Sequence, residues 1–347
     1  MGLRPLDQTS MEELKEALYR IERIDSLFYY HLVTATLNHF GTDGEMTVRH
    51  ATRRYGRWRG NEMRQAHLAL GKPIHMETLM RNWDAASVVV AQDSVDEGTF
   101  SPNLVVHDVN LCLAADLWRG RGFHRWGHVY CDEFHQACAS AYHPDGHVVI
   151  HENKMKGDKM CKFRWVMPPR EEPYKFPPPT ELGKRLAQDY RGADDKERAF
   201  YALKRGYRLV GAIYLAFALQ LEEDFGQQGH QPLLRALRTW GEDRGRMLRE
   251  QHAKAGLELH PATMIRASDL PDSYVCEVRE RRVDPEVYTF ELSRSPVLEA
   301  LSDYDQSRWI EPFFREVYSA MAPSYRANAS ATLVSCTPQG VVMTFEG

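Results

Sequence analysis

Apolar residues follow two different spacings along the chain. Residues 11–40 and 45–70 carry them at steps of three and four, which is typical of amphipathic helices. The segments HDVNLC, HVVIHENKM and CKFRWVM instead show strand-like runs or alternation, and the second half has comparable segments in YVCEVRE, VYTFELS, ATLVSC and GVVMTFE. This order predicts an α+β fold with a largely antiparallel sheet. The pattern leaves open whether each half has its own sheet or both halves share one.

The second half of the chain repeats the first. The segment FGTDGEMTVRHATRRYGRWRGNEMRQAHLALG at 40–71 aligns without gaps with FGQQGHQPLLRALRTWGEDRGRMLREQHAKAG at 225–256. Identical pairs in this and a later block include Gly56/Gly241, Arg59/Arg244, His67/His252 and Trp126/Trp309. Such self-similarity predicts two tandem copies of one domain with a pseudo-twofold relation. We assign the first copy to residues 1–167, a proline-rich and charged linker to 168–197, and the second copy to 198–347.

Composition narrows the class of protein. The formal net charge of −4 gives no basic excess of the kind that nucleic-acid binding requires. The apolar run LVGAIYLAFALQL is too short to span a membrane, and the N-terminus lacks the apolar core of a secretory signal. Six cysteines without a CxxC pair favour reduced thiols. We therefore expect a cytoplasmic monomer or homodimer that acts on a small-molecule substrate, with no nucleic-acid or membrane partner.

The segment HVYCDEFHQAC, at 128–138, concentrates imidazoles and thiols on one predicted helix. His128, Cys131, His135, Cys138 and Tyr142 fall on one face, and their partners in the second copy are Glu311, Phe314, Tyr318, Met321 and Tyr325. Because that face is mostly bulky and apolar in the second copy, it should point inward in both. The residues then either line a pocket in the first copy or pack as ordinary core side chains; we favour the pocket.

The segment that contains this helix resembles a known family. Residues 109–164 are similar to the core of the L-2-amino-thiazoline-4-carboxylate hydrolase family. The resemblance rests on a cysteine that opens a helix (Cys112), a cysteine followed by an acidic residue (Cys131-Asp132), and a closing Gly-Asp-x-x-Cys-x-Phe motif that ends in Cys161-Lys162-Phe163. Leu113 departs from the pattern, because many members have proline there.

The second copy lacks all three of these cysteines. Phe314 stands in place of Cys131, Ser295 in place of Cys112, and Met343 lies near the place of Cys161. We interpret the first copy as the active half and the second as a degenerate domain that supports it.

The resemblance implies hydrolytic opening of a small heterocycle that bears a carboxylate, at a C–N bond of its amidine-like group. Cys131 with His128 or His135 would form a thiolate–imidazolium pair, since a cationic neighbour lowers the pKa of a thiol. Asp132 lies off that helix face, so we expect it to orient a histidine only through another element. Cys112 and Cys161 complete the predicted catalytic set.

The predicted substrate-binding residues are Arg59, Arg64 and Tyr142. An arginine can hold a substrate carboxylate through two parallel hydrogen bonds. A structural role is the rival interpretation for both arginines, because Arg244 and Arg249 occupy the same places in the second copy.

Two other functions use the same residues. We expect no cofactor, but zinc bound through Cys112, Cys131 and Cys161, or through His128, would make the protein a zinc-dependent hydrolase or lyase. Alternatively, the duplicated domains could form a small-molecule binding or sensing protein without catalysis.

Overall fold

The computed structural model describes residues 5–84, 95–172, 174–192, 194–266, 273–284 and 286–347. The helices are α1 (Met11–Phe40), α2 (Asp43–Ala69), α3 (Met76–Arg81), α4 (Leu113–Gly120), α5 (His124–Tyr142), α6 (Glu181–Leu186), α7 (Asp195–Phe225), α8 (His230–Lys254), α9 (Pro261–Arg266), α10 (Pro296–Asp303) and α11 (Ile310–Tyr325). The strands are β1 (Val95–Ser101), β2 (Leu104–Val109), β3 (His147–Glu152), β4 (Cys161–Val166), β5 (Glu277–Val283), β6 (Val287–Arg294), β7 (Ser330–Thr337) and β8 (Gly340–Glu346).

The predicted α+β class is confirmed. The two long N-terminal helices and the seven predicted strand segments all appear within a few residues of their expected bounds. The sequence VDEGTFS of β1 was missed, because it has little apolar alternation for a strand prediction to use. None of the helices that the structure describes is long and apolar enough to cross a membrane.

The chain forms two compact units that interleave segments from both halves. The first unit consists of Met11–Ser26 and Val48–Gly206, and the second contains Leu27–Thr47, Tyr207–Gly347 and the residues that precede Met11. The unit boundaries therefore divide α1 and α7. The predicted boundaries at residues 167 and 198 divide the chain by position along the sequence, and they stay a prediction.

The first unit contains one antiparallel sheet in the order β1-β2-β4-β3. Val109 near the end of β2 pairs with Cys161 at the start of β4. Helix α5 packs on this sheet, where His135 contacts the rings of Phe163 and Trp165 at centroid distances of 4.9 and 5.8 Å. This arrangement places His135 of α5 over the central and later residues of β4.

The second unit has a sheet of the same design, in the order β5-β6-β8-β7. Leu292 on β6 pairs with Val341 on β8, at the place that Val109 and Cys161 occupy in the first unit. The sheet question that the sequence left open is thus answered, since each unit has its own four-stranded sheet.

Equivalent helices also make equivalent contacts. A Cβ at Gly56 or Gly60 would collide with the backbone of α5, and one at Gly241 or Gly245 would collide with the backbone of α11. The hydrogen bond between His67 Nδ1 and Tyr142 Oη is 2.8 Å long, as is the bond between His252 Nδ1 and Tyr325 Oη. The two units thus share these contacts, and the duplication itself stays a prediction.

Candidate active site

The three motif cysteines come from three different elements of the first unit. Cys112 is the extended residue that precedes α4, Cys131 lies in the middle of α5, and Cys161 opens β4. Burial raises the pKa of Cys131 well above its usual value, and the neighbouring Cys112 and Cys161 raise it further. Burial likewise raises the pKa of Cys112 to about 12, although its surface is only partly covered. The three thiols therefore interact with one another and carry their protons at neutral pH.

The Gly-Asp part of the motif forms the turn that places Cys161. Gly157 ends a short 3-10 helix, Lys154–Lys156, with φ of 102°, a conformation that favours glycine. The Asp158 carboxylate closes the turn by accepting a hydrogen bond from the Asn153 backbone N–H at 2.7 Å. Within this turn the backbone N–H of Lys154 points to Cys161 Sγ, at 3.4 Å.

The same turn fixes the side chain of Asn153, which is 1% exposed. Its Oδ1 accepts a hydrogen bond from the Met155 backbone N–H at 2.8 Å, so the amide nitrogen must face the other way. That nitrogen finds no acceptor among the residues that the structure describes. The Asn153 amide nevertheless acts on Cys131, where it opposes part of the rise in the Cys131 pKa that burial causes.

His135 is joined to the backbone of Cys131, not to its sulfur. Its Nδ1 lies 2.7 Å from the Cys131 carbonyl oxygen, and since a carbonyl only accepts, we assign the proton to Nδ1 and leave Nε2 as an acceptor. Burial lowers the pKa of His135 to about 4, and the Arg59 charge contributes to the decrease. The imidazole is therefore neutral.

His128 pairs with Asp132 one turn further along α5. Its Nε2 lies 2.9 Å from the Asp132 carboxylate, and burial lowers the imidazole pKa more than Asp132 raises it. The expectation that Asp132 could orient a histidine only through another element was wrong, because residues four apart are neighbours on a helix surface. Within the described part of the chain, neither His128 nor His135 hydrogen-bonds to the Cys131 thiol.

Arg59 is buried and already has a carboxylate partner. Its Nε and one terminal nitrogen donate to the two oxygens of Asp84, at 2.9 and 2.5 Å, and the other terminal nitrogen donates to Tyr55 Oη at 3.3 Å. Burial alone would lower the pKa of Arg59, but Asp84 more than offsets it and holds the pKa well above its usual value. The guanidinium also lies 4.5 Å from the ring centroid of Phe134. Its predicted role in substrate binding stays a prediction.

Tyr142 is the last residue of α5, and Arg64, on α2, contacts the same C-terminal end of α5. Arg64 donates to the Ala141 carbonyl at 2.7 Å, and Tyr142 is hydrogen-bonded to His67. Tyr142 follows Cys131 by about three turns, or roughly 16 Å along the helix axis. The structure therefore does not bring these two predicted substrate-binding residues to the thiols.

Sequence reasoning missed two carboxylates on α1. Glu22 and Asp25 keep some exposed surface, yet burial by the surrounding protein raises the pKa of each to about 7. Glu22 acts electrostatically on Cys112, and Asp25 acts on Tyr130. The signal in the sequence was their position in a helical stripe with Leu18 and Tyr29, which are completely buried.

The equivalent positions of the second unit are almost all apolar. Carried back along α1 and α7 without a gap, the first repeat alignment pairs Glu22 and Asp25 with Tyr207 and Val210. The later alignment pairs Cys112, Cys131 and His135 with Ser295, Phe314 and Tyr318. All five residues of the second unit are buried. By strand register, the residue of the second sheet that corresponds to Cys161 is Val341, which is close to the Met343 that the sequence suggested. The turn at 153–160 is also missing, since residues 338–339 alone connect β7 to β8. The polar cluster is thus specific to the first unit.

The zinc alternative stays untested. Among the residues described, no three His, Cys, Asp or Glu side chains are grouped in a way that could hold a metal ion.

Comparison with known proteins gives one result. Residues 22–165 match the sequence profile of the family described as L-2-amino-thiazoline-4-carboxylic acid hydrolase. Neither the curated proteins nor the solved structures gave a match. The matched segment begins at Glu22 and extends past Cys161, so it contains both carboxylates, all three thiols and the turn between β3 and β4. Residues 22–165, the segment that holds the site, are therefore similar to the L-2-amino-thiazoline-4-carboxylic acid hydrolase family.

Proposed function

We propose that the first unit is a hydrolase that opens a small carboxylate-bearing heterocycle at a C–N bond of its amidine-type carbon, with Cys131 as the nucleophile. The main support for this proposal is a difference between the two units. The polar groups that meet at Cys131 lie inside the family segment, and the matching positions of the second unit are almost all apolar. Replacement of a whole polar cluster is expected when one copy loses a reaction and keeps the fold.

The chemistry starts from neutral groups. The thiol of Cys131 must lose its proton as it attacks, because its pKa lies well above neutrality. The unprotonated Nε2 of the neutral His135 is the proposed proton acceptor, with transfer concerted with attack because the imidazole is a weak base. The Asn153 amide would stabilise the developing negative charge on sulfur.

The proposed steps balance without a cofactor. Cys131 sulfur bonds to the amidine carbon, and the electrons of the C=N bond move to nitrogen. The ring C–N bond then breaks, and the departing nitrogen takes a proton. Water attacks the same carbon, the C–S bond to Cys131 breaks, and the thiol regains its proton. One molecule of water is consumed, and we propose that the degenerate second copy supports this unit without taking part in the chemistry.

Turnover of L-2-amino-thiazoline-4-carboxylic acid tests the proposal. The wild-type protein should hydrolyse it, and Cys131→Ala should lose at least 10³-fold in kcat, while Cys336→Ser should retain activity because Cys336 lies in the second unit. Product analysis identifies the bond, since C–N cleavage yields a free amine or ammonia and C–S cleavage yields a free thiol. Full activity of Cys131→Ala would contradict the nucleophile.

Two further outcomes would favour the alternatives. One equivalent of tightly bound zinc, with activity lost on chelation, would favour a zinc-dependent hydrolase. Ligand binding without turnover of any related ring would favour a binding or sensing protein.

A further inference from the structure

We propose that Glu22 and Asp25 form a carboxylate pair that binds the cationic amidine-type group of a substrate beside Cys112. This inference rests on the proposed function and adds a determinant of substrate class, namely that the first unit selects planar cations over neutral rings of the same size.

The carboxylate pair has a fixed position. Glu22 and Asp25 lie one turn apart on α1, so both point to the same side of the helix. Trp118 Nε1 donates to the Ser26 carbonyl oxygen at 2.8 Å and thereby holds this part of α1 against α4, the helix that Cys112 precedes. This contact places the segment of α1 that carries the pair beside α4, and Glu22 acts electrostatically on Cys112.

The carboxylate end of this cluster offers a polar atom without a protein partner. Asp25 Oδ1 is buried and accepts no hydrogen bond from the residues described. A ligand that donates an N–H to this oxygen would satisfy it.

The local charge favours a cation. Arg59 acts on both carboxylates, but its two-bond contact with Asp84 already uses its charge. The other groups that act electrostatically on the pair or respond to it are Asp84, Tyr55, Tyr130 and Cys112. None of these four is a cation. The Lys154 ammonium acts on Cys112, but it lies 3.0 Å from the Asp116 carboxylate, so two ionised carboxylates would leave the site with excess negative charge.

Protonation relieves this charge when no ligand is bound, which agrees with the pKa of about 7 that each group has. A bound cation would take the place of the proton. An amidinium suits the pair better than a spherical ion, because its two parallel N–H donors match the two oxygens of one carboxylate.

Calorimetric titration with two small rings tests the inference without relying on turnover. The probes are 2-amino-2-thiazoline, which carries the amidinium, and 1,3-thiazolidin-2-one, a neutral ring of the same size. The wild-type protein should bind the cation at least tenfold more tightly, and Glu22→Gln, Asp25→Asn and the double variant should lose this preference progressively. Glu16→Gln is the matched control, because Glu16 is exposed on the same helix.

Proton release gives a second measurement that needs no variant. Titration at pH 7 in buffers with different ionisation enthalpies should show that the wild-type protein releases protons when the cation binds. Equal affinity for both probes, or binding without proton release, would overturn the inference.

The two proposals can fail separately. Cys131→Ala should bind the cation as wild type does while losing turnover. Turnover that depends on Cys131 without a preference for the cation would overturn only the carboxylate pair. Selective cation binding without hydrolysis would leave the pair intact and overturn the proposed hydrolase.

Discussion

His135 and Cys131 are joined through the backbone, with 2.7 Å between Nδ1 of the imidazole and the carbonyl oxygen of the cysteine. The bond uses the ring nitrogen to which we assign the proton, and burial keeps the imidazole neutral. The ion pair expected from the sequence would require a protonated imidazole near a thiolate, but both groups have pKa values shifted toward the neutral form. In the proposed reaction, activation of the thiol must therefore accompany substrate binding.

Alkylation of the unliganded protein should show this resting state. Because only the thiolate reacts and burial raises the Cys131 pKa well above 9.0, its rate with iodoacetamide at pH 7 should be below that of free cysteine. The rate should rise about tenfold per pH unit through pH 9. Peptide mass spectrometry would follow each cysteine, with Cys336, whose pKa burial raises to about 11, as an internal reference. A rate that reaches a plateau below pH 8 would indicate a preformed thiolate.

Removal of the Asn153 amide should lower kcat more than it changes KM. Asn153→Ala removes a donor that faces the reacting sulfur, and loss of one such donor typically costs about 10²–10³ in kcat. Asn153→Asp should be at least as damaging, because a carboxylate would raise the Cys131 pKa further. Asn61→Ala, on the exposed side of α2, is the control. An increase in KM alone would show that Asn153 only binds substrate.

The features that could be predicted from the sequence are those that depend on the spacing of nearby residues. Apolar periodicity located the helices and most strands, and the cysteine motif identified three thiols, two of which act electrostatically on the third, Cys131. Spacing could not reveal Glu22 and Asp25 as part of the site, because α1 lies far from the motif along the chain. It also could not show that Arg59 has Asp84 as its partner, since this pair forms only in the tertiary structure. The prediction for Asp132 failed for a local reason, since His128 lies four residues before it on the same helix.

Replacement of Arg59 should destabilise the fold as well as impair any reaction. Arg59→Met leaves the Asp84 carboxylate buried without its partner, which typically costs about 3–5 kcal/mol. Urea unfolding would measure this loss. Lys184→Ala breaks an exposed ion pair with Glu181 and should cost about 0.5 kcal/mol or less. A small effect of Arg59→Met would show that the pair is more hydrated than its geometry indicates.

The carboxylate pair should make stability depend on pH. The pKa of Glu22 and of Asp25 is near 7 in the folded protein and near 4 when unfolded, so the folded state binds more protons between these values. The contribution of the pair to the free energy of unfolding is therefore greatest below pH 4 and is lost as pH rises through 7.

Glu22→Gln isolates this effect. The variant should be more stable than the wild-type protein at pH 8, and the difference should shrink at pH 5, as measured by urea unfolding at both values. Glu16→Gln should show no such difference. Loss of stability at pH 8 in Glu22→Gln would mean that the ionised carboxylate is stabilised by the protein.

Tyr142→Phe should separate structure from substrate binding. The hydroxyl of Tyr142 is bonded to the buried His67, whose pKa is lowered to about 3 by burial, so its removal leaves a neutral imidazole without that partner. The expected cost is about 1–3 kcal/mol in the free energy of unfolding. Tyr325→Phe removes the matching bond to His252 and should cost about the same. Because Tyr142 lies about three turns from Cys131, KM should stay unchanged, and an increase in KM confined to Tyr142→Phe would restore its predicted role in substrate binding.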